Sequence, residues 1–292
     1  MGFFLQLLAN GISLGFLYAL SALGFVMIFK SSNVLNFAHG ALMTIGAFLF
    51  LALSAWAGLP IILAFALTLA GSFTLGFLLE KFFLRPLIKK TIIYVIMLTL
   101  GLALMFRGLL TFIFGGDIHS YPKFLPETLS LKWGGIEISA VYVAAFIIGA
   151  VSLILFGLFY KYSSQGIYMR SVADNKPAAL SIGVHIRRGF ALSWAIAALV
   201  CAISGVLFGI INGVSVNALN SIGFKMLPIV ILGGLGSIRG AILGGVTIGL
   251  LETFTGAYIS LSLQEIMPYI VLVFILMVKP YGLFGLVETK RA

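Results

Sequence analysis

Histidine and cysteine are the residues of this chain best suited to catalysis or metal binding, and their spacing favours neither. The three histidines, His39, His119 and His185, lie on different predicted loops or spans. Cys201 is the only cysteine and stands inside an apolar run, which favours a packing role over a metal site or an internal disulfide. The chain also has no zinc spacing, no nucleophile elbow and no pair of carboxylates on one helix face. We therefore expect no catalytic residue, no metal and no cofactor in this chain.

One polar stretch stands out, the run from Asn36 to Gly40, because it lies within the charge-free segment from Ser31 to Leu79. Polar side chains are costly in lipid, so Asn36 and His39 should face a bundle interior or a cavity. In the simpler interpretation Asn36 caps a helix and His39 satisfies a neighbouring carbonyl. In the functional interpretation both side chains line a gate or the wall of a pathway near the membrane edge.

A second segment, from Gly233 to Gly245, is dense in glycine but lacks the Gly-Lys-Ser/Thr ending of a phosphate-binding loop. Small residues at this density are typical of close helix packing. A wall that flexes during transport is compatible with such packing. The candidate pathway residues are Asn36, His39, Gly233, Gly234 and Gly236. Two charges, Arg107 and Glu252, also lie in or near apolar spans, where charged side chains usually pair or reach the interface.

The composition requires lipid as the solvent for much of this chain. Of the 292 residues, 61% are hydrophobic and only 9% are charged, whereas a soluble domain has roughly 25% charged residues. Charge-free runs cover 5–29, 31–79, 138–160 and 189–224. The formal net charge is +10, but the cations flank apolar spans, so we expect membrane orientation and not nucleic-acid binding.

The hydrophobic pattern predicts an all-α, polytopic transmembrane helix bundle of about eight spans, since each span needs about 20 apolar residues. The predicted spans cover residues 5–29, 35–55, 60–80, 92–114, 138–160, 190–211 and 264–279. The charge-free run 31–79 is long enough for two spans and is expected to hinge near Gly58-Leu59-Pro60. A glycine-rich segment near 226–258 is predicted to be broken or re-entrant, which membrane proteins tolerate only where the backbone is buried or lines a cavity. The alternative is one long tilted helix there and an inside N-terminus.

Charge in the loops predicts the orientation. Loops 80–90 and 161–188 have an excess of Lys and Arg and should be cytoplasmic, whereas loop 115–137 is acidic and should face outside. The N-terminus is then outside, and the basic C-terminal tail is cytoplasmic.

The loop 163–188 is predicted to contain a short helix of about two turns. Asp174 or Asn175 is a suitable N-cap, Pro177 suits the first turn, and Gly183 is a suitable stop. Between them, Ala178, Ala179 and Leu180 favour a helix. This element is either a capped connector or a docking helix that fits a groove on a cytoplasmic partner.

Several motifs together resemble a known family. The chain is similar to the inner-membrane permease subunits of ATP-binding-cassette importers for branched-chain amino acids, and in particular to the first of the two paralogous permeases in such systems. The resemblance covers nearly the whole chain, and the order and spacing of its motifs are specific. These motifs are Gly15-Phe-Leu-Tyr18-Ala19-Leu20, Asn36-Phe37-Ala38-His39-Gly40, Arg85-Pro86, Gly166 through Gly183, Leu232-Gly-Gly-Leu-Gly-Ser-Ile238 with Gly240-Ala241, and Pro280-Tyr-Gly282-Leu-Phe-Gly285.

The resemblance implies a single permease domain over residues 1–292, embedded in the bacterial inner membrane in contact with lipid. It implies four partner chains: a second paralogous permease, two cytoplasmic ATP-binding subunits and a soluble extracytoplasmic solute-binding protein. ATP would be hydrolysed on the partners, so this chain would not be an enzyme. The segment 170–183 would be the coupling element. The residues expected to couple to the ATPase are Arg170, Ala173, Asp174, Asn175, Pro177, Ala178, Ala179 and Gly183.

Two departures leave the solute open. Arg239 stands where family members commonly have proline, and Pro228 lies within an apolar stretch. Relatives of such permeases also move urea, short amides and aromatic acids, so these remain alternatives to branched-chain amino acids. A stand-alone carrier or channel would require buried carboxylates paired at mid-membrane, and Glu252 is the only candidate. An intramembrane enzyme would require a catalytic cluster, which the sequence lacks.

Overall fold

The computed structural model describes residues 2–87, 90–122, 130–133, 136–174 and 186–285, and almost all of them are helical. The helices are α1 (Gly2–Ser32), α2 (His39–Leu51), α3 (Ile61–Leu79), α4 (Ile92–Phe114), α5 (Ala140–Tyr162), α6 (Ser164–Asp174), α7 (Ile186–Asn212), α8 (Val216–Gly233), α9 (Ile238–Tyr258) and α10 (Leu261–Val278). A short antiparallel hairpin pairs β1 (Ser130–Trp133) with β2 (Ile136–Ser139); it begins in the predicted outer loop, 115–137, and extends two residues into the span predicted from 138.

Nine helices in the described part of the chain are long and apolar enough to cross a membrane, and α6 is the exception. This confirms the predicted class, an all-α polytopic bundle, with nine candidate spans where about eight were expected. The chain is thus a multi-pass membrane protein. The hinge predicted near Gly58 is also confirmed, because a π-helical turn (Ala52–Trp56) ends α2 and α3 begins at Ile61.

The predicted broken element near 226–258 is in fact two helices with a tight turn between them. The helix α8 begins earlier than predicted, at Val216, and ends at Gly233. The turn follows, with Gly234 at a φ of 105°, a left-handed conformation that favours glycine. The sequence pattern missed the first half of α8 because Asn217, Asn220 and Lys225 interrupt its apolar run.

The described helices pack into two compact units, each drawn from several stretches of chain. Unit 1 comprises Met1–Val26, Leu125–Ala150 and Lys225–Ala292, and unit 2 comprises Met27–Phe124 and Val151–Phe224. The single domain predicted over residues 1–292 stays a prediction.

Unit 2 is built around α7, which packs against α2 and α3 through small residues. A β-carbon on Gly205 of α7 would overlap the backbone of Met43, and one on Gly76 of α3 would overlap the backbone of Trp194. Helices approach this closely in membranes where small residues allow their backbones to meet. After α4 the chain folds back onto this unit, and His119 and Val214 exchange backbone hydrogen bonds of 2.9 and 2.7 Å.

Unit 1 is held by a similar contact between α1 and α9. A β-carbon on Gly15 would lie 2.6 Å from Cα of Val246, and one on Gly245 would lie 2.5 Å from the backbone nitrogen of Ala19. The glycine-rich segment therefore serves close packing, as its composition indicates. This packing brings the polar side chains of α1 and α9 into reach of one another.

Candidate functional site

Asn36 lies in the non-helical stretch between α1 and α2 and is 1% exposed. Its Oδ1 accepts a hydrogen bond of 3.0 Å from the backbone N–H of Ala38. The N-cap of α2 is Ala38, which makes no side-chain capping bond, so the expectation that Asn36 caps the helix is wrong. The side chain instead stabilises the turn that precedes α2. Its Nδ2 has no hydrogen-bond partner among the described residues.

His39, the first residue of α2, is buried beside α7. Its ring nitrogens lie 3.5 and 3.7 Å from Sγ of Cys201, which is itself fully buried. Cys201 therefore packs as a small residue, as expected, and also provides a polarisable neighbour for the imidazole. The backbone of Gly40 meets the backbone of Gly223 in α8 too closely for a β-carbon on either residue.

The other side of this stretch is held by α4. The hydroxyl oxygen of Thr99 accepts a hydrogen bond of 3.4 Å from the N–H of Phe37 and donates one of 2.9 Å to the carbonyl of Ile96. Thr99 is fully buried. Asn36, His39, Thr99 and Cys201 are four buried residues of unit 2 that lie on or beside the stretch between α1 and α2, and we call them the Asn36 cluster.

Unit 1 contains a second buried polar group, centred on Glu252 of α9. Oε2 of Glu252 accepts a hydrogen bond of 2.5 Å from the Tyr18 hydroxyl in α1, and Oε1 lies 2.9 Å from Nζ of Lys225 in α8. Glu252 is 1% exposed, so its charge must be compensated within the protein. We call Tyr18, Lys225 and Glu252 the Glu252 network.

Sequence reasoning singled out Glu252 but found neither of its partners. The available signal was that Lys225 is also a charge inside a long apolar region, and that charges in such regions usually pair. The other charge noted in the sequence, Arg107, donates a hydrogen bond of 2.8 Å to Oδ1 of Asn217 in α8. It therefore has a partner as well as access to the surface.

The predicted pathway glycines lie at the turn between α8 and α9. Gly233 packs directly against Gly240, whereas a β-carbon on Gly236 would meet no atom within 4 Å. The last carbonyl groups of α8 accept hydrogen bonds from the last part of the described chain. The N–H of Leu283 donates to the carbonyl of Leu232 at 2.8 Å, and the N–H of Phe284 donates to the carbonyl of Gly233 at 3.0 Å. A pathway role for these glycines stays a prediction.

The predicted coupling loop begins with a helix that sequence reasoning did not foresee, α6. Arg170 lies on it, donates a hydrogen bond of 2.8 Å to the carbonyl of Lys161, and stacks over the ring of Tyr160. The backbone of Ala173 and Asp174 forms the last turn of α6. The predicted docking helix falls outside the described residues, and so do Asn175, Pro177, Ala178, Ala179 and Gly183.

The histidines of the described part do not meet. His39 lies in the Asn36 cluster, whereas Nε2 of His119 lies 2.9 Å from the carbonyl oxygen of Phe114, and His185 is outside the described residues. The described ranges contain no group of three His, Cys, Asp or Glu side chains placed to hold a metal ion. Near His119, burial raises the pKa of the Tyr121 phenol, whose hydroxyl donates to the carbonyl of Ala47 at 3.0 Å.

Comparison with known proteins gives one consistent family. The family described as "Branched-chain amino acid transport system / permease component" matches residues 7–276. Similar proteins include the high-affinity branched-chain amino acid transport system permease protein LivH of Escherichia coli (strain K12), 28% identical over 305 residues that cover 99% of this chain and 98% of that protein. The corresponding protein BraD of Pseudomonas aeruginosa is 28% identical over 302 residues, which cover 99% of this chain and 98% of BraD.

A more distant relative is the probable branched-chain amino acid transport permease protein LivH of Methanocaldococcus jannaschii, 25% identical over 94% of this chain and 90% of that protein. Among solved structures, PsaBC from Streptococcus pneumoniae in complex with Fab matches with a TM-score of 0.54 and 14% identity, over 97% of this chain and 94% of that chain. The structural match supports the fold alone.

Proposed function

This chain belongs to the branched-chain amino acid transport permease family, and from that premise we propose that it is the membrane-spanning permease subunit of an ATP-driven importer. In this proposal it forms half of the translocation pathway for branched-chain amino acids. The observation on which the proposal depends is the extent of the match, since the relatives named for this transport align with 99% of the chain.

The two buried polar groups are compatible with a pathway. Polar and ionisable groups among membrane helices are costly, and in transporters they commonly mark the route of the solute. The described residues of both units include such groups, the Asn36 cluster in unit 2 and the Glu252 network in unit 1. Asn36 and His39 are the residues we propose as part of the pathway wall.

The proposed orientation places the N-terminus outside and the C-terminus in the cytoplasm of a bacterial cell, within the inner membrane. An odd number of crossings puts the two termini on opposite sides, and the described helices provide nine candidates. Loops 80–90 and 161–188 then lie on the same side, as expected for the two loops richest in Lys and Arg.

The proposed partners are a second paralogous permease, two cytoplasmic ATP-binding subunits and an extracytoplasmic solute-binding protein. The chain has no nucleotide-binding loop of its own, so the energy for transport would come from ATP hydrolysed on the partners. The coupling element is segment 170–183, which begins within α6.

Reconstitution tests the proposal directly. The chain is placed in liposomes with its genomic neighbours: the second permease, the ATP-binding proteins and the binding protein. We expect uptake of radiolabelled leucine that requires internal ATP and all four partners. Leucine uptake by this chain alone would support a stand-alone carrier and overturn the proposal. Uptake of urea, acetamide or phenylalanine in place of leucine would retain the importer and change its solute.

A further inference from the structure

Unit 2 contains an amphipathic cavity at the ends of four of its helices. Its volume is about 360 Å³, and it shares no residue with the Asn36 cluster. Its walls include Asn33, Glu80, Lys90, Val95, Phe190 and Trp194. This size is toward the lower end of the range for small-molecule sites, roughly 300–1,000 Å³. It is large enough for a headgroup and the start of an alkyl chain.

The position of the cavity follows from the helix ends that meet there. Ser32 is the last residue of α1, Ile92 is the first residue of α4, and both line the cavity. The wall at Leu87 belongs to the 3₁₀ turn that follows α3. A place where apolar helices end and begin corresponds to the headgroup level of a bilayer. The side of the membrane is that of loop 80–90, which we predict to be cytoplasmic.

The lining is divided into a polar part and an apolar part. Phe190 and Trp194, two residues of α7 that are one helical turn apart, form a buried apolar wall together with Val95 of α4. Asn33 and Lys90 are exposed and form the polar part. A ligand that fits this division has a polar headgroup and an apolar chain.

The charges at the cavity favour an anionic headgroup. The Glu80 carboxylate is already neutralised, since Oε2 lies 2.7 Å from the Arg85 guanidinium. The ammonium of Lys90 has no ion-pair partner in the described ranges and is left as the uncompensated charge of the cavity. Exposed Arg187 and Arg188, at the start of α7, add positive charge at the same helix end.

We propose that this cavity binds an anionic phospholipid, with the phosphate at Lys90 and an acyl chain along Val95, Phe190 and Trp194. Basic pockets between membrane helices on the cytoplasmic side are suited to anionic lipid headgroups. A phospholipid is also the amphiphile that such a position meets at high concentration in every membrane. The proposal is independent of the transported solute.

Native mass spectrometry of the purified chain tests this site. Protein released from nanodiscs of phosphatidylglycerol should retain one tightly bound lipid, whereas protein from phosphatidylcholine nanodiscs should retain none. Lys90→Gln should weaken phosphatidylglycerol retention about fivefold, the effect expected for one lysine near an anionic lipid. The matched control is Lys81→Gln, because Lys81 is an exposed lysine of the same loop that does not line the cavity. The Lys81→Gln variant should retain as much phosphatidylglycerol as the wild type does.

A second variant tests the apolar part. Val95→Phe fills the cavity and should reduce retention of phosphatidylglycerol. The variant should still fold, so its melting temperature without lipid should match that of the wild type without lipid. Equal retention of the two lipids, or an equal loss in the Lys81 and Lys90 variants, would overturn the proposal. Release of the bound lipid by millimolar inorganic phosphate alone would show a free-phosphate site and would also overturn it.

Discussion

The ammonium of Lys225 lies 2.9 Å from the carboxylate of Glu252 inside unit 1, and Tyr18 donates a hydrogen bond to the other oxygen of that carboxylate. Three helices, α1, α8 and α9, therefore meet at one buried charge. Removing one partner of such a pair leaves the other charge uncompensated, which is more harmful than removing both.

The Glu252 network is tested by a double-mutant cycle. We expect Glu252→Gln and Lys225→Met each to lower the free energy of unfolding by about 3 kcal/mol, the lower end for a buried pair since Lys225 is 14% exposed. The double variant should lose less than the sum. The measurement is unfolding by SDS in mixed micelles. Glu265→Gln is the control, because Glu265 is exposed on α10 and should change stability by less than about 0.5 kcal/mol. Strict additivity would contradict the pairing.

The contact between α1 and α9 predicts a large effect from a single methyl group. Gly15→Ala places a β-carbon 2.6 Å from Cα of Val246, so the two helices must separate. We expect a loss of about 1–3 kcal/mol in the free energy of unfolding. Gly157→Ala provides the matched control, since a β-carbon there meets no atom within 4 Å. That variant should be neutral or stabilised by up to about 1 kcal/mol. Equal effects at both sites would exclude the close contact.

Cys201 offers a chemical probe of the Asn36 cluster, because it is the only cysteine and is fully buried beside His39. Buried thiols in apolar surroundings are inert. We expect no labelling of the folded protein by N-ethylmaleimide in the time that completely labels the SDS-denatured chain, as measured by intact mass. Comparable rates in the two states would show that the cluster is open to solvent. If His39 lines the pathway, labelling should appear when the assembled transporter turns over ATP.

Ala179 lies outside the described residues, in the segment that the family resemblance assigns to ATPase docking. We expect Ala179→Glu to leave the protein in the membrane but to abolish co-purification of the ATP-binding subunits and leucine uptake. A charge on a small docking surface would oppose its burial against the partner. Ile118→Glu is the control, because it adds the same charge to an exposed residue of the loop predicted to lie outside. Normal recruitment by Ala179→Glu would exclude a docking role for this residue.

Much of the architecture could be predicted from the sequence because lipid imposes a simple rule on composition. Long, mostly apolar runs predicted α1 to α5, α7 and α10, and the break in the glycine-rich segment was also expected. The rule fails where a membrane helix contains polar residues, so Asn217, Asn220 and Lys225 hid the start of α8. It fails again for α6, which is not apolar enough to be read as a span.

The contacts of the site could not be predicted in the same way, because they depend on how distant segments pack. Tyr18 and Glu252 are separated by 234 positions, and only the approach of α1 to α9 at Gly15 brings them together. The proximity of His39 to Cys201 likewise depends on α2 packing against α7. The sequence could identify Asn36, His39 and Glu252 as polar residues in an apolar setting, but not their partners.

The bonds from Leu283 and Phe284 to the end of α8 have a consequence for the order in which the protein is made. The ribosome delivers Leu232 and Gly233 to the membrane well before it reaches Leu283. Until then, the last carbonyls of α8 lack the partners that they have in the finished protein, and buried carbonyls require partners. Unit 1 can therefore close only after Leu283 and Phe284 have been added to the chain. A transcript truncated just before codon 280 should yield a chain that quality-control proteases recognise, although it retains all nine candidate spans found among the described residues.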